Sequence, residues 1–212
     1  MIRKTMYATF CFLASLAIAQ AQSEPPRFSF EFGGGFNKPV GNLENRLDTG
    51  WNLNTGGGIN LTPHLGLMGQ FMFTDSGLTR SYLSSLGEPD GSFRMWGLTA
   101  DPVVRFNPRG RMDFYLIGGG GIYRRTVEFT RPTTATVTVF DPFFDLFYPA
   151  GVPANQVIGS LSTTRPGVNG GGGFSFRLGD GNAKLFVETR YHRMFTKGMS
   201  TSVLPVTLGF RW

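Results

Sequence analysis

From Phe28 onward the chain alternates apolar and polar positions with a period of two, the signature of strands with one greasy and one polar face. The clearest case is Val203 to Trp212, where Leu204, Val206, Leu208, Phe210 and Trp212 fall on one side and Pro205, Thr207, Gly209 and Arg211 on the other. The same rhythm predicts strands over 27–38, 50–61, 65–73, 93–107, 112–129, 166–178 and 183–195. Tight turns separate some of them: Thr62-Pro63-His64, Asn107-Pro108-Arg109-Gly110, and Gly179-Asp180-Gly181-Asn182, a strong hairpin signal. The other connections are longer, at 39–49, 75–92 and above all 130–164. Pro102 interrupts the fourth strand and predicts a bulge or an edge there. No segment after residue 21 carries a convincing helical period.

Short connections therefore alternate with long ones, and the three shortest fall on one side. An even set of antiparallel strands arranged so is expected to close into an all-β, eight-stranded, antiparallel up-and-down transmembrane β-barrel. Glycine runs at 33–35, 56–58, 118–121 and 170–173 fit a small, strongly curved barrel. None of them opens a helix, as a phosphate-cradling loop requires.

The polar face carries Glu31, Asp101, Arg105, Arg177, Glu188, Arg190 and Arg211. Acids and bases in similar number suit a narrow lumen in which they neutralise one another. A soluble barrel with these charges in water is the alternative, and the aromatic residues argue against it. Phe36, Trp51, Phe71, Phe73, Trp96, Tyr191 and Phe195 gather towards one end of the strands. Phe28, Phe106, Phe176, Phe210 and Trp212 gather towards the other. Two such rings are the interfacial girdles of a membrane barrel.

Composition narrows the picture further. Only 16% of residues are charged, against 41% hydrophobic with Gly 30 and Phe 21, which fits an all-β chain. Residues 1–21 read as a secretory signal peptide: Arg3 and Lys4, an apolar run, then Ala19-Gln20-Ala21. The barrel is then expected over 22–212. The only cysteine, Cys11, lies within the signal, so no thiol or disulfide chemistry is expected of the mature chain. The formal charge of +6, or +4 without Arg3 and Lys4, is scattered singly, and no nucleic-acid partner is expected.

Residues 27–212 resemble the small eight-stranded outer-membrane barrels of OmpA and OmpX type, on architecture, lumen Glu/Arg set and a closing Leu208-Gly209-Phe210-Arg211-Trp212. The resemblance implies the bacterial outer membrane, with surrounding lipid and lipopolysaccharide as partners. It also implies that the assembly machinery reads the last strand, which pairs with the first. No peptidoglycan-binding domain is seen after Trp212, so an envelope-tethering role is not expected.

Function is expected to be non-enzymatic: a structural or surface-interaction barrel with its lumen plugged by the Glu/Arg network. A small channel or carrier for apolar molecules, of OmpW type, is the alternative, and a lipid A-modifying enzyme the third. For that last reading His192 has Glu188 on its face and Ser200 and Ser202 nearby in sequence, but no motif. No cofactor is implied, and two isolated histidines, His64 and His192, make no metal site. In the external loop 130–164, Phe140, Phe143, Phe144, Phe147 and Tyr148 crowd together as a candidate contact surface. Packing of these rings on the barrel rim or on each other remains open. Arg80, Arg94, Arg124, Arg125, Arg131, Arg165, Arg193 and Lys197 near the outer rim suit lipopolysaccharide phosphates, or plain solvent.

Overall fold

The eight strands pair in sequence order and the last returns to the first, so that no strand of the ring is left without a neighbour. The computed structural model describes residues 26–179, 181–196 and 200–212; the signal-peptide segment 1–21, Cys11, Asp180 and Lys197 lie outside the described residues. The strands are β1 (Phe28–Pro39), β2 (Gly50–Asn60), β3 (Leu65–Gly77), β4 (Asp90–Arg105), β5 (Met112–Asp141), β6 (Leu146–Arg177), β7 (Lys184–Met194) and β8 (Thr201–Arg211). All ladders are antiparallel. On the closing seam Glu31 lies opposite Arg211, and Phe30 and Trp212 exchange backbone hydrogen bonds of 2.8 and 3.0 Å. No helix among the described residues is long and apolar enough to cross a membrane.

Alternation decides which side chain goes where. On β1, Phe28, Phe30, Phe32 and Phe36 are exposed on the outer wall while Ser29, Glu31 and Asn37 are buried inside. On β8, Leu208 and Phe210 point out and Thr207 and Arg211 point in. Gly121 and Gly171 point inward where a Cβ would be driven into the carbonyl oxygens of Leu98 and Thr189, so only glycine fits so small a circumference there.

Four features depart from the sequence expectation. Residues 130–164 are not an irregular loop: β5 and β6 stay paired from Met112↔Phe176 to Asp141↔Leu146. Pairing to β4 stops at Asp90↔Thr130, and pairing to β7 begins only at Gly167↔Met194. Beyond Thr130 the hairpin therefore leaves the barrel as a free two-stranded ribbon. A register shift between Phe129 and Thr130 marks the point of departure, as bulges do where a strand changes direction. Secondly, the 75–92 connection holds a short helix, α1 (Arg80–Leu86), closed by Gly87 at φ 72°. Thirdly, Pro102 causes no bulge. The β4–β5 register is the same on both sides of it, from Ala100↔Gly120 to Val103↔Ile117, and the ring lies exposed on the outer wall.

The fourth departure concerns the lumen. Its half nearest the long connections holds an apolar cluster of inward-facing Met72, Phe93, Met95, Tyr123, Met194 and Val203, beside buried Asn37, Thr74 and Ser76. Leu43 and Leu47, from the 39–49 connection, and Leu78 and Leu83, beside and on α1, fold over this mouth and bury themselves in the same cluster. A Leu47↔Leu78 bridge ties the two connections together. Where these loops provide an apolar lid, the interior mixes apolar side chains with the polar ones that alternation alone predicts.

Candidate functional site

The charged lumen residues sit in one layer between that apolar mouth and a second small cluster of Met68, Val103, Tyr115 and Ile117. Alternate positions on β1, β4, β7 and β8 deliver them, each at an inward phase, and β3 adds the neutral Gln70. The Arg211 guanidinium donates to Glu31 Oε2 from Nε at 3.0 Å and from Nη2 at 2.6 Å. It also lies 3.8 Å from Glu188 Oε2 and stacks over the rings of Tyr115 and Phe186, at 4.4 and 5.1 Å. Arg190 donates to Glu188 Oε1 at 2.5 Å and to Asp101 Oδ2 at 3.0 Å. Gln70 completes the circuit by accepting from Arg190 and donating to Glu31. Glu31, Gln70, Arg190, Glu188 and Arg211 thus form a closed ring of hydrogen bonds and ion pairs across the barrel, with Asp101 attached at Arg190.

Outside this ring the carboxylates are satisfied as well. Tyr115 donates to Glu188 Oε2 at 2.9 Å, while Thr99 and Asn169 donate to Asp101 at 2.6 and 2.8 Å. Ionic groups as buried as these persist only when paired and hydrogen-bonded, and Arg190 is held through its two terminal nitrogens while its Nε is buried without a partner. Two residues of the expected set stand apart. Arg105, towards the short-turn end, donates to Asn60 Oδ1 at 2.6 Å. Arg177 donates to the Pro108 carbonyl at 3.4 Å on a turn. Lys184, 4.0 Å from Asp113, joins them at that end.

Sequence reasoning named the ions and missed the neutral members. Gln70 was legible as an inward position on β3, but nothing in its type marks it as a bridge. Asn169, opposite Val168 in the alternation of β6, was legible in the same way, whereas Tyr115 and Tyr123 lie on β5, whose glycine-rich middle hides the phase. His192 is buried with Nδ1 3.0 Å from the Tyr123 hydroxyl and the two rings edge to face. Its hydrogen bond is to Tyr123, and among the described residues none joins it to Glu188 or Ser202. Glu188, on the same face, is engaged by Tyr115, Arg190 and Arg211, and Ser202 lies on the other face of the wall, accepting from Tyr191 at 2.8 Å. No group of three or more His, Cys, Asp or Glu able to hold a metal occurs among the described residues.

On the outer wall the expected girdle residues Phe28, Phe36, Trp51, Phe71, Phe106, Phe176, Tyr191, Phe210 and Trp212 are exposed, and Phe73 and Trp96 are half-buried. They pack partly on one another: Trp51 on Phe73 at 5.3 Å and Phe71 on Trp96 at 6.5 Å between centroids. Leu98, Ile122, Leu208 and Phe32 expose the band between the rings. A closed barrel with an apolar exterior and ions locked inside matches an established group. The model for the outer membrane protein beta-barrel domain aligns with residues 8–211. The chain belongs to that family. It resides in the bacterial outer membrane, and in such barrels the short turns are periplasmic and the longer connections extracellular.

Among solved structures, this outer-membrane barrel resembles Neisserial surface protein A (NspA), with 14% identity and a TM-score of 0.57 over 88% of this chain and 96% of that one. It also resembles a major outer membrane protein from Thermus thermophilus, with 13% identity and a TM-score of 0.52 over 87% and 97%. At such identities the likeness is one of fold. No curated protein matches the chain.

The β5–β6 ribbon of the barrel carries the remaining candidates. Its apex is the turn Pro142–Asp145, where Asp145 adopts φ 50° and Asp141 accepts from the Phe143 amide at 2.8 Å. Phe143 and Phe144 are 93% and 75% exposed, so they pack on no rim; Phe140 and Phe147 stack on each other at 5.0 Å. Tyr148 is exposed beside them. Of the basic residues near the mouth, Arg94 bridges Asp75 and Glu128, at 3.5 and 3.1 Å, and Arg125 donates to Thr201 at 2.7 Å. Arg124 and Arg193 stand exposed on the outer wall, each two positions beyond an exposed Ile122 or Tyr191 on the same strand. Arg80, Arg131 and Arg165 are exposed as well.

Proposed function

We propose that this barrel is a non-enzymatic display scaffold: a closed cylinder whose task is to hold the β5–β6 ribbon above the outer membrane as a surface-interaction element. The observation that carries the reading is the ribbon itself, a paired extension of both strands ending in exposed phenylalanines. Loops on a rigid scaffold carry function, and exposed apolar clusters mark contact sites. The rigid base is the filled lumen. An eight-strand barrel has an interior just wide enough for side chains, and here the ionic ring, Tyr115, Tyr123, Phe186 and the methionines occupy it. A plug is favoured over a pore because every carboxylate of the ring is engaged by two or more donors.

Around the scaffold, lipid surrounds the wall, and Arg124 and Arg193 suit the phosphates of lipopolysaccharide, since a guanidinium holds phosphate with two parallel hydrogen bonds. The seam strand β8, with its alternating outward Leu208 and Phe210, is the segment offered to the barrel assembly machinery during insertion.

Adhesion of bacteria expressing the whole chain, compared with bacteria expressing a chain whose residues 131–156 are replaced by a tight turn, tests the display role. The shortened chain is expected to reach the membrane folded and to lose the adhesion. Equal adhesion of the two would overturn the reading. Purified protein in planar bilayers is expected to show no steady conductance, and a continuous open level would favour a channel instead.

A further inference from the structure

The two faces of the ribbon differ. Register fixes which residues share a face. Thr130, Pro132, Thr134, Thr136, Thr138 and Phe140 lie with their partners on one. The other face reads Arg131, Thr133, Ala135, Val137, Val139 and Asp141 along β5, opposite Gln156, Ala154, Val152, Ala150, Tyr148 and Leu146 on β6. This second face is aliphatic in the middle, basic at its base and acidic at its apex. Between residues 132 and 164 the only charged side chains are Asp141 and Asp145. A two-stranded ribbon in water is marginal unless its apolar face is covered, and on this face Val137, Tyr148 and Leu146 are exposed. Pairing along the free strand edges is hindered, because Pro132, Pro149 and Pro153 remove backbone donors. The face is the surface left for a partner.

We propose that the partner is the same face of a second copy of this chain, carried by an apposed membrane, so that the protein is a homotypic adhesin. The inference rests on the surface-display reading above and names its ligand. The argument is self-complementarity under a two-fold axis perpendicular to the strands, the isologous arrangement. Such an axis lays β5 antiparallel on β5 of the partner and sets Arg131 against Asp141 at both ends of the contact. It also sets Val139 on Thr133, and larger side chains against smaller ones in Val137 on Ala135 and, across β6, in Tyr148 on Ala154 and Val152 on Ala150. Two copies in one membrane are related instead by an axis along the membrane normal. That arrangement gathers the acidic apices at one level and the basic residues at another, and it is disfavoured for that reason.

The size of the contact fits adhesion and not a stable dimer. Residues 131–141 span about 36 Å, and two strands are about 10 Å wide, which gives a few hundred Å² per copy. That is below the surface a stable pair of proteins buries, so the purified protein is monomeric in detergent, and many weak contacts between two membranes act together.

The test uses the whole protein in lipid vesicles, with residues 131–156 facing outward, and vesicle clustering followed by light scattering. Protein-bearing vesicles are expected to cluster with each other and not with protein-free vesicles. Arg131→Asp on its own sets acid against acid, and Asp141→Arg on its own sets base against base, so each population alone is expected to lose clustering. Mixed together, the two variants restore both opposite-charge pairs, and clustering is expected to return. Both positions lie on the ribbon outside the barrel, and the heat-shifted electrophoretic band confirms folding of each variant. Clustering with protein-free vesicles, indifference to the charge reversals, or a mixture that stays dispersed each overturns the homotypic partner. The broader display role is judged separately, by the adhesion of the ribbon-less strain.

Discussion

Replacing Arg190 by leucine removes the cation that joins Asp101 to Glu188. Asp101 keeps Thr99 and Asn169, and Glu188 keeps Tyr115 and a 3.8 Å approach from Arg211. Before the change, Glu31, Asp101 and Glu188 face Arg190 and Arg211; afterwards three carboxylates share one guanidinium. Removing one member of a buried ionic set strands the remaining charge and costs about 3–5 kcal/mol. The same reasoning fixes the sign of a second substitution. Asp101→Asn in the Arg190→Leu background removes a carboxylate that has lost its cation, so the double variant is expected to be more stable than Arg190→Leu by at least about 1 kcal/mol, the scale of coupling between residues in contact. Urea titration of the protein refolded in lipid vesicles, with folded and unfolded bands separated by electrophoretic mobility, measures both. A loss below about 1 kcal/mol for Arg190→Leu, the size of an exposed pair, or further destabilisation by Asp101→Asn, would refute the picture of a closed, desolvated ring.

Other outcomes follow from the same geometry. Gly121→Val and Gly171→Val drive a side chain into neighbouring carbonyls and are expected to abolish the folded band, whereas Gly170→Ala, with nothing within 4 Å, is expected to fold normally. Phe143→Ser with Phe144→Ser removes two exposed rings and is expected to leave the unfolding midpoint unchanged in the same titration. Leu47→Ala with Leu83→Ala hollows the apolar lid, at about 2–5 kcal/mol per buried leucine. Limited trypsin digestion is then expected to cut at Arg80 while the barrel band persists.

The wall was legible because a strand that divides lipid from ions must alternate, and Phe28 to Asn37 or Leu204 to Trp212 do so without ambiguity. The ribbon was not, for a physical reason. Outside the membrane neither face needs to be apolar, so Thr133 to Thr138 alternate only weakly, and Pro132, Pro149 and Pro153 look like loop punctuation although a ribbon edge tolerates them. The apolar cluster of the lumen was hidden because Phe93, Met95 and Met194 face inward against the general rule, although the alternation of β3 already set Met72 on the inner face. What makes that favourable is the lid supplied by Leu43, Leu47, Leu78 and Leu83, a contact between segments far apart in sequence. The seven residues of α1 are too few to show a helical period. Within the ionic ring the charges announced themselves, while Gln70 and Tyr115 are recognisable only once strands from opposite sides of the cylinder are seen together.

The seam between β1 and β8 has a kinetic meaning. Glu31 and Arg211 are 180 residues apart, so their bond closes nearly the largest loop the chain can make. Local hairpins can form early, but this ionic clasp engages only when the sheet has curled fully round. The barrel's two ends of synthesis are thereby made to wait for each other, and an incompletely wound sheet is left holding a bare glutamate and a bare arginine at its lips, an unfavourable place to stop in a membrane.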